Sequence, residues 1–147
     1  IICFKTLEEH TYYSHETDKD ISNFVQYDSN GTLLDSRVYE TYYNSNKVKI
    51  KVIGYHNDNL SFWSEFIYGE NNNLIKTNEY NENNVLNSNS EKFYDDNGNI
   101  VKTIRYFGDG IKIAEGISNY DSDNHITSET SYREDCSLSY YKEWHYE

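Results

Sequence analysis

The sequence predicts an all-β fold: an antiparallel up-and-down meander of about ten strands with tight Asn, Asp and Gly turns, forming a barrel or a twisted or spiral sheet. Three observations carry this reading. Turn-forming clusters recur at near-constant spacing, the segments between them often alternate apolar with polar residues, and no stretch keeps a good helical apolar period.

The turns come first. Tyr27-Asp28-Ser29-Asn30-Gly31 precedes Thr32-Leu33, Tyr94-Asp95-Asp96-Asn97-Gly98-Asn99 precedes Ile100, and Tyr120-Asp121-Ser122-Asp123-Asn124-His125 precedes Ile126. Aromatic residues at 55, 68, 80, 94, 107, 120, 132 and 146 open further turns or close the chain at intervals of 12 to 14 residues. One interval fits a strand plus a turn, and two intervals, 26 residues, make one hairpin. Asn30-Gly31 and Asn97-Gly98 suit backbone with positive φ, which Asn and Gly adopt cheaply. Asp121 and Asn124 occupy the corresponding places in the later turn. The acids of FYDDNGNI, residues 93–100, could signal a metal loop or a catalytic pair. Related turns keep the turn chemistry and lose the acids, and a calcium loop needs a longer ligand array ending in a bidentate acid. The stretch is therefore read as a turn, and no metal and no cofactor are expected.

The strands follow. Lys47, Lys49 and Lys51 alternate with Val48, Ile50 and Val52; Leu60, Phe62, Ser64, Phe66 and Tyr68 share one face; Cys136, Leu138, Tyr140, Lys142, Trp144 and Tyr146 share another. Leu7-Glu8-Glu9-His10 reads as the start of a short helix. Asn87-Ser88-Asn89-Ser90 offers nothing apolar and reads as a bulge or a frayed segment. The whole of 1–147 is expected to be one β-meander domain, with its clearest repetition over 20–147. Cys3 falls in the first expected strand and Cys136 in the last, so a disulfide between them would close the meander and imply an oxidising compartment. Two buried free thiols fit the composition equally well.

Composition narrows the function. The chain has 147 residues, a formal net charge of −12, a mean hydropathy of −0.92 and 16 Tyr. Its acidity disfavours nucleic acid and an anionic membrane face, and is compatible with a basic protein partner. No run of 18 apolar residues is present, so no membrane span is expected. Aromatic content of 16% and the absence of Pro argue for a folded chain over a disordered one. The start at Ile1-Ile2-Cys3, without Met, suggests a mature or truncated product, and the pattern leaves open both a whole chain and one piece of a longer chain or assembly.

The pattern Tyr-Asp-x-x-Gly/Asn-x-Ile/Leu, clearest at Tyr94–Ile100 and Tyr120–Ile126 with Tyr27–Leu33 next, resembles the YD repeats of bacterial rearrangement-hotspot proteins. It is also similar to the hairpin repeats of MORN-type proteins. Glycine is replaced at Asn72, Asn84 and Asn124, and the Arg and second Gly of many YD repeats are mostly missing. The resemblance implies shells, scaffolds or partner-binding surfaces whose repeats carry no catalytic residues. The Asn-rich, Pro-free composition suggests an AT-rich bacterial genome.

Motifs for chemistry are sparse. None of His10, His15, His56, His125 and His145 stands at zinc-ligand spacing from another His or a Cys. The paired carboxylates all sit on turns, whereas glycosidases hold theirs on rigid walls about 5–10 Å apart. The chain is not expected to be an enzyme. The candidates for binding are aromatic: Trp63, then Phe62 and Phe66 on the face opposite it, and Trp144 with Tyr140 and Tyr146. The expected function is a non-catalytic, surface or secreted module that binds a protein or glycan. Alternatives are an acidic immunity or antitoxin-type inhibitor of a basic toxin, which would be cytoplasmic, and a small-ligand barrel.

Overall fold

The structure, a computed structural model, describes residues 8–14, 18–28 and 30–146. These residues form eleven strands: β1 (Glu8–Ser14), β2 (Lys19–Tyr27), β3 (Leu33–Tyr43), β4 (Lys49–His56), β5 (Asn59–Tyr68), β6 (Leu74–Asn81), β7 (Leu86–Tyr94), β8 (Ile100–Phe107), β9 (Lys112–Tyr120), β10 (Ile126–Arg133) and β11 (Leu138–Glu143). Their order in the sheet is their order in the chain. A closed barrel would need β1 paired with β11. The two stand at opposite ends of that order, so the meander is open and the barrel expectation is corrected.

Two further expectations change. Glu8, Glu9 and His10, read as a helix start, lie in β1, where their backbone pairs with Val25, Phe24 and Asn23. A ladder of hydrogen bonds to β2 outweighs a weak local preference. Asn87–Ser90 neither bulges nor frays. Ser88, Asn89 and Ser90 pair in unbroken register with Phe107, Tyr106 and Arg105, and Gly108 N–H donates to the Asn87 carbonyl at 2.8 Å. Backbone pairing on both sides of a strand does not require apolar side chains.

The turns follow one plan. In the 95–99 turn, Gly98 N–H donates to the Asp95 carbonyl at 3.1 Å, Asp95 N–H donates to the Asn99 carbonyl at 3.0 Å, and Gly98 has φ of 85°. This is a type I turn followed by one left-handed residue. The same pair of bonds closes the turns whose left-handed residue is Gly31, Lys47, Asn72, Gly110, Asn124 or Cys136. The β4–β5 connection differs: Asn57 and Asp58 both have positive φ, the signature of a two-residue type I′ loop.

Beyond the turns lies a feature absent from the alternation pattern. In the ladders β2–β3, β3–β4, β4–β5, β7–β8, β8–β9, β9–β10 and β10–β11, the register slips by one residue just inside the hairpin. Tyr94 faces Ile100 while Phe93 faces Lys102, so Val101 is the extra residue. A bulge of this kind reverses which face the first residue of a strand occupies. Lys49 and Lys51 therefore lie on opposite faces, Leu60 leaves the face of Phe62, and Leu138 leaves the face of Tyr140.

The chain packs as two compact units, Ile1–Phe66 with Tyr80–Asn84, and Ile67–Glu79 with Val85–Glu147. Neither has a core of the ordinary kind. Among the described residues Ile104 is the one buried apolar side chain, and no side chain falls below 2% exposure. Stability must come from backbone ladders, turn bonds and cross-strand side-chain pairs on solvated faces.

Candidate binding surfaces

The turn carboxylates are committed to backbone. Asp28 Oδ1 accepts from the amides of Asn30 and Thr32, both at 2.8 Å. Asp95 Oδ1 accepts from Asn97 and Asn99 at 3.0 and 2.8 Å, and Asp121 Oδ1 from Asp123 and His125, both at 2.9 Å. These bonds favour the charged form. Asp95 is held below the usual carboxylate range by the Asn99 side-chain and backbone donors, and Asp28 and Asp121 chiefly by the amides of Thr32 and His125. Such groups are poor general acids or bases at neutral pH. Among the described residues no three His, Cys, Asp or Glu converge as metal ligands. Of the turn residues singled out, Asn30 and Asn97 supply amides to the preceding Asp, Gly31 and Gly98 supply positive φ, and Asn124 does so at 64°.

In the first unit Trp63 is half-buried on β5. Its ring stacks on Tyr80 of β6 at 3.8 Å between centroids and 5° between planes, and its Nε1–H donates to Asn84 Oδ1 at 3.0 Å. Lys51 of β4 places Nζ 4.6 Å from the ring centroid. The strands β4 and β6 flank β5, so both sides of the indole are already engaged. Trp63 is thereby a cross-strand brace rather than an open stacking platform. On the opposite face, Phe62 pairs with Gly54, where a Cβ would stand 2.4 Å from its ring, and its centroid lies 6.3 Å from that of Tyr39. Phe66 lies beneath Lys49 Nζ at 4.2 Å. Phe62 remains exposed.

Beside Phe62 lies a site that sequence reasoning missed. Asp35 bridges Arg37 and His56, at 2.9 Å to Nη2 and 2.8 Å to Nε2, and a shallow hollow of about 280 Å³ is lined by Arg37, Tyr39, Tyr55, His56, Ser61 and Phe62. The three residues lie 2 and 21 positions apart. Only the β3–β4 register, which sets Arg37 opposite His56, brings them together. The Lys19–Glu40–Tyr42 cluster was missed for the same reason. Glu40 accepts from Lys19 Nζ and Tyr42 Oη, both at 2.6 Å, which lowers its pKa and raises those of both partners.

In the second unit the expected trio of Trp144, Tyr140 and Tyr146 does not form a cluster, and no ring contact joins them among the described residues. Trp144 lies just past β11, with Lys142 Nζ 4.4 Å from its ring centroid. Tyr140 is exposed on β11. Tyr146 turns back: its hydroxyl donates to the Ile126 carbonyl at 2.9 Å and its ring meets His125. Tyr94 and Tyr120 donate in the same way to the carbonyls of Leu74 and Ile100, each 20 residues upstream. Cys136, expected in the last strand, stands in the β10–β11 turn with φ of 62° and is exposed. Its proposed partner Cys3 lies outside the described residues. Among the described residues no helix is long and apolar enough to cross a membrane. No protein-family model matches the chain, and no curated protein does.

Proposed function

We propose that the chain is a non-catalytic interaction module, surface-exposed or secreted, that binds a protein or glycan partner through exposed aromatic side chains on its sheet faces. The observation that carries this reading is the pairing of a sheet without a buried core with large apolar side chains left on its faces, among them Phe62, Phe93, Tyr140 and Tyr141. Aromatic side chains exposed on a sheet face can anchor a partner, since Tyr and other large aromatics supply much of protein–protein contact energy. The commitment of the turn acids to backbone amides speaks against hydrolysis.

The test is affinity enrichment with the wild-type chain and with a Phe62→Ser, Tyr140→Ser double variant. A partner held by the wild type at high salt and lost from the variant supports the reading. Turnover by the chain on a panel of glycosidase, esterase and nuclease substrates would sink it. A second reading, an acidic inhibitor of a basic protein, rests on the net charge of −12. That reading expects binding that is lost at high salt and indifferent to the two aromatic side chains.

A further inference from the structure

The cations of the second unit sort by face. Lys76 pairs with Glu91 at 3.1 Å, and Lys102 and Lys112 pair with Glu115 at 3.1 and 3.2 Å. Register places Glu91, Ile104 and Glu115 side by side, so all three ion-paired lysines belong to one face. The other face carries Lys92, Arg105, Arg133 and Lys142. Lys92 lies opposite Thr103, Arg105 and Arg133 lie on either side of Ala114, and Lys142 lies opposite Glu129. Among the described residues none of these four forms an ion pair with a carboxylate. Arg133 Nη1 donates to Ser137 Oγ and the Leu138 carbonyl, at 3.4 and 3.3 Å, its charge also acts on Asp135 in the adjoining turn, and Lys142 covers the Trp144 ring. The acids near these cations are Glu79, which accepts from Ser88 Oγ at 2.6 Å and shares a hollow with Arg105, Glu129 opposite Lys142, and Asp135 in the turn beside Arg133.

Between these cations the floor is low. Thr103, Gly116 and Ser131 form one cross-strand row ending at the exposed Tyr140. Ser90, Thr103 and Arg105 help line a hollow of about 190 Å³. Arg105 and Arg133 are two strand spacings apart, about 9–10 Å between their backbones. In a chain of net charge −12, cations that make no close ion pair with a carboxylate mark a place where a second molecule can supply the acid.

We propose that this face of the second unit, centred on Arg105, Gly116 and Arg133, docks an acidic segment of a partner protein. This rests on the interaction-module reading and names the chemistry of one of its partners. The guanidinium groups present forks suited to carboxylates. Arg and Tyr dominate protein–protein contact energy, and both residue types are here, exposed on one face. A nucleic acid is disfavoured because four cations sit within an acidic chain.

The probe is fluorescent poly-L-glutamate, followed by anisotropy at low salt. Arg105→Ala and Arg133→Ala are each expected to weaken binding about tenfold. Gly116→Glu should abolish it: a Cβ there meets nothing nearer than the Thr130 carbonyl oxygen at 4.0 Å, so the fold accepts a side chain that fills the floor and repels the ligand. Asn119→Glu adds the same charge on the opposite face and should leave binding unchanged. Absence of poly-L-glutamate binding, or an equal loss in Gly116→Glu and Asn119→Glu, would overturn the proposal. So would tighter binding of polygalacturonate with the same dependence on Arg105 and Arg133, which would make the ligand a glycan. A natural partner that needs Phe62 and Tyr140 but survives loss of both arginines would remove this inference and leave the module reading standing.

Discussion

Asp28, Asp95, Asp121 and Asp135 each hold a turn by accepting amide hydrogens, and each has a folded-state pKa below the ordinary value of 3.8. The sign follows from linkage. A depressed carboxylate adds stability that is complete above its unfolded pKa and is lost as pH falls through the folded one. Asn44 already fills the same role in the β3–β4 turn, with Oδ1 accepting from Asn46 and Val48. Asp95→Asn should therefore fold, with a lower urea midpoint at pH 7 and a deficit that vanishes well below pH 3.8, read from midpoints across a pH series. Cys136 shows the opposite relation between residue and position, because a side chain at φ of 62° is strained and Gly is not. Under reducing conditions Cys136→Gly is expected to stabilise the chain by about 1 kcal/mol in chemical denaturation. The Asp and Asn roles were legible because those side chains favour turns wherever they stand. The Cys136 role was not, because nothing about cysteine signals a left-handed position.

The strands and their turns were legible from the period of 12 to 14 residues, while the faces of their first residues were not. A bulge has no composition of its own; it is set by how the register meets the turn geometry. Reading strict alternation through it put Lys49 with Lys51 and Leu138 with Tyr140, both of which the ladders separate. Two glycines give the sharpest test at this scale. The three atoms nearest a Cβ on Gly54 all belong to the Phe62 ring, which can swing away, whereas a Cβ on Gly108 would lie 1.8 Å from the Leu86 carbonyl oxygen. Gly54→Ala is expected to cost under about 1 kcal/mol and to displace Phe62, while Gly108→Ala costs about 3 kcal/mol because backbone must move. Urea midpoints give both costs, and the chemical shifts of Phe62 report its displacement.

Across the molecule, each strand draws its support from the strands beside it, as in repeat proteins, where stability is a sum of local units and their interfaces. Damage should therefore stay local. Hydrogen exchange on Gly108→Ala is expected to show lost protection in β7, β8 and β9, with β2, β3 and β4 retaining theirs. Uniform loss across the chain would refute nearest-neighbour coupling. The sequential strand order was legible because every connection is short enough to be a hairpin. The sorting of the second unit's cations between faces was not, since it appears only once the four bulges of β7 to β11 have been placed in register.

The tyrosine hydroxyls of Tyr94, Tyr120 and Tyr146 reach back 20 residues, and both they and their acceptors recur every 26. Such a chain can lengthen or shorten without penalty only in whole steps. Excising residues 95–120 would join Tyr94 to Asp121 and leave the Leu74–Tyr94 and Ile126–Tyr146 clasps intact. Excising a single strand and its turn would leave a clasp without its mate. A change in length that keeps every clasp mated therefore comes in pairs of strands, and the hydroxyl bonds are what make the step size discrete.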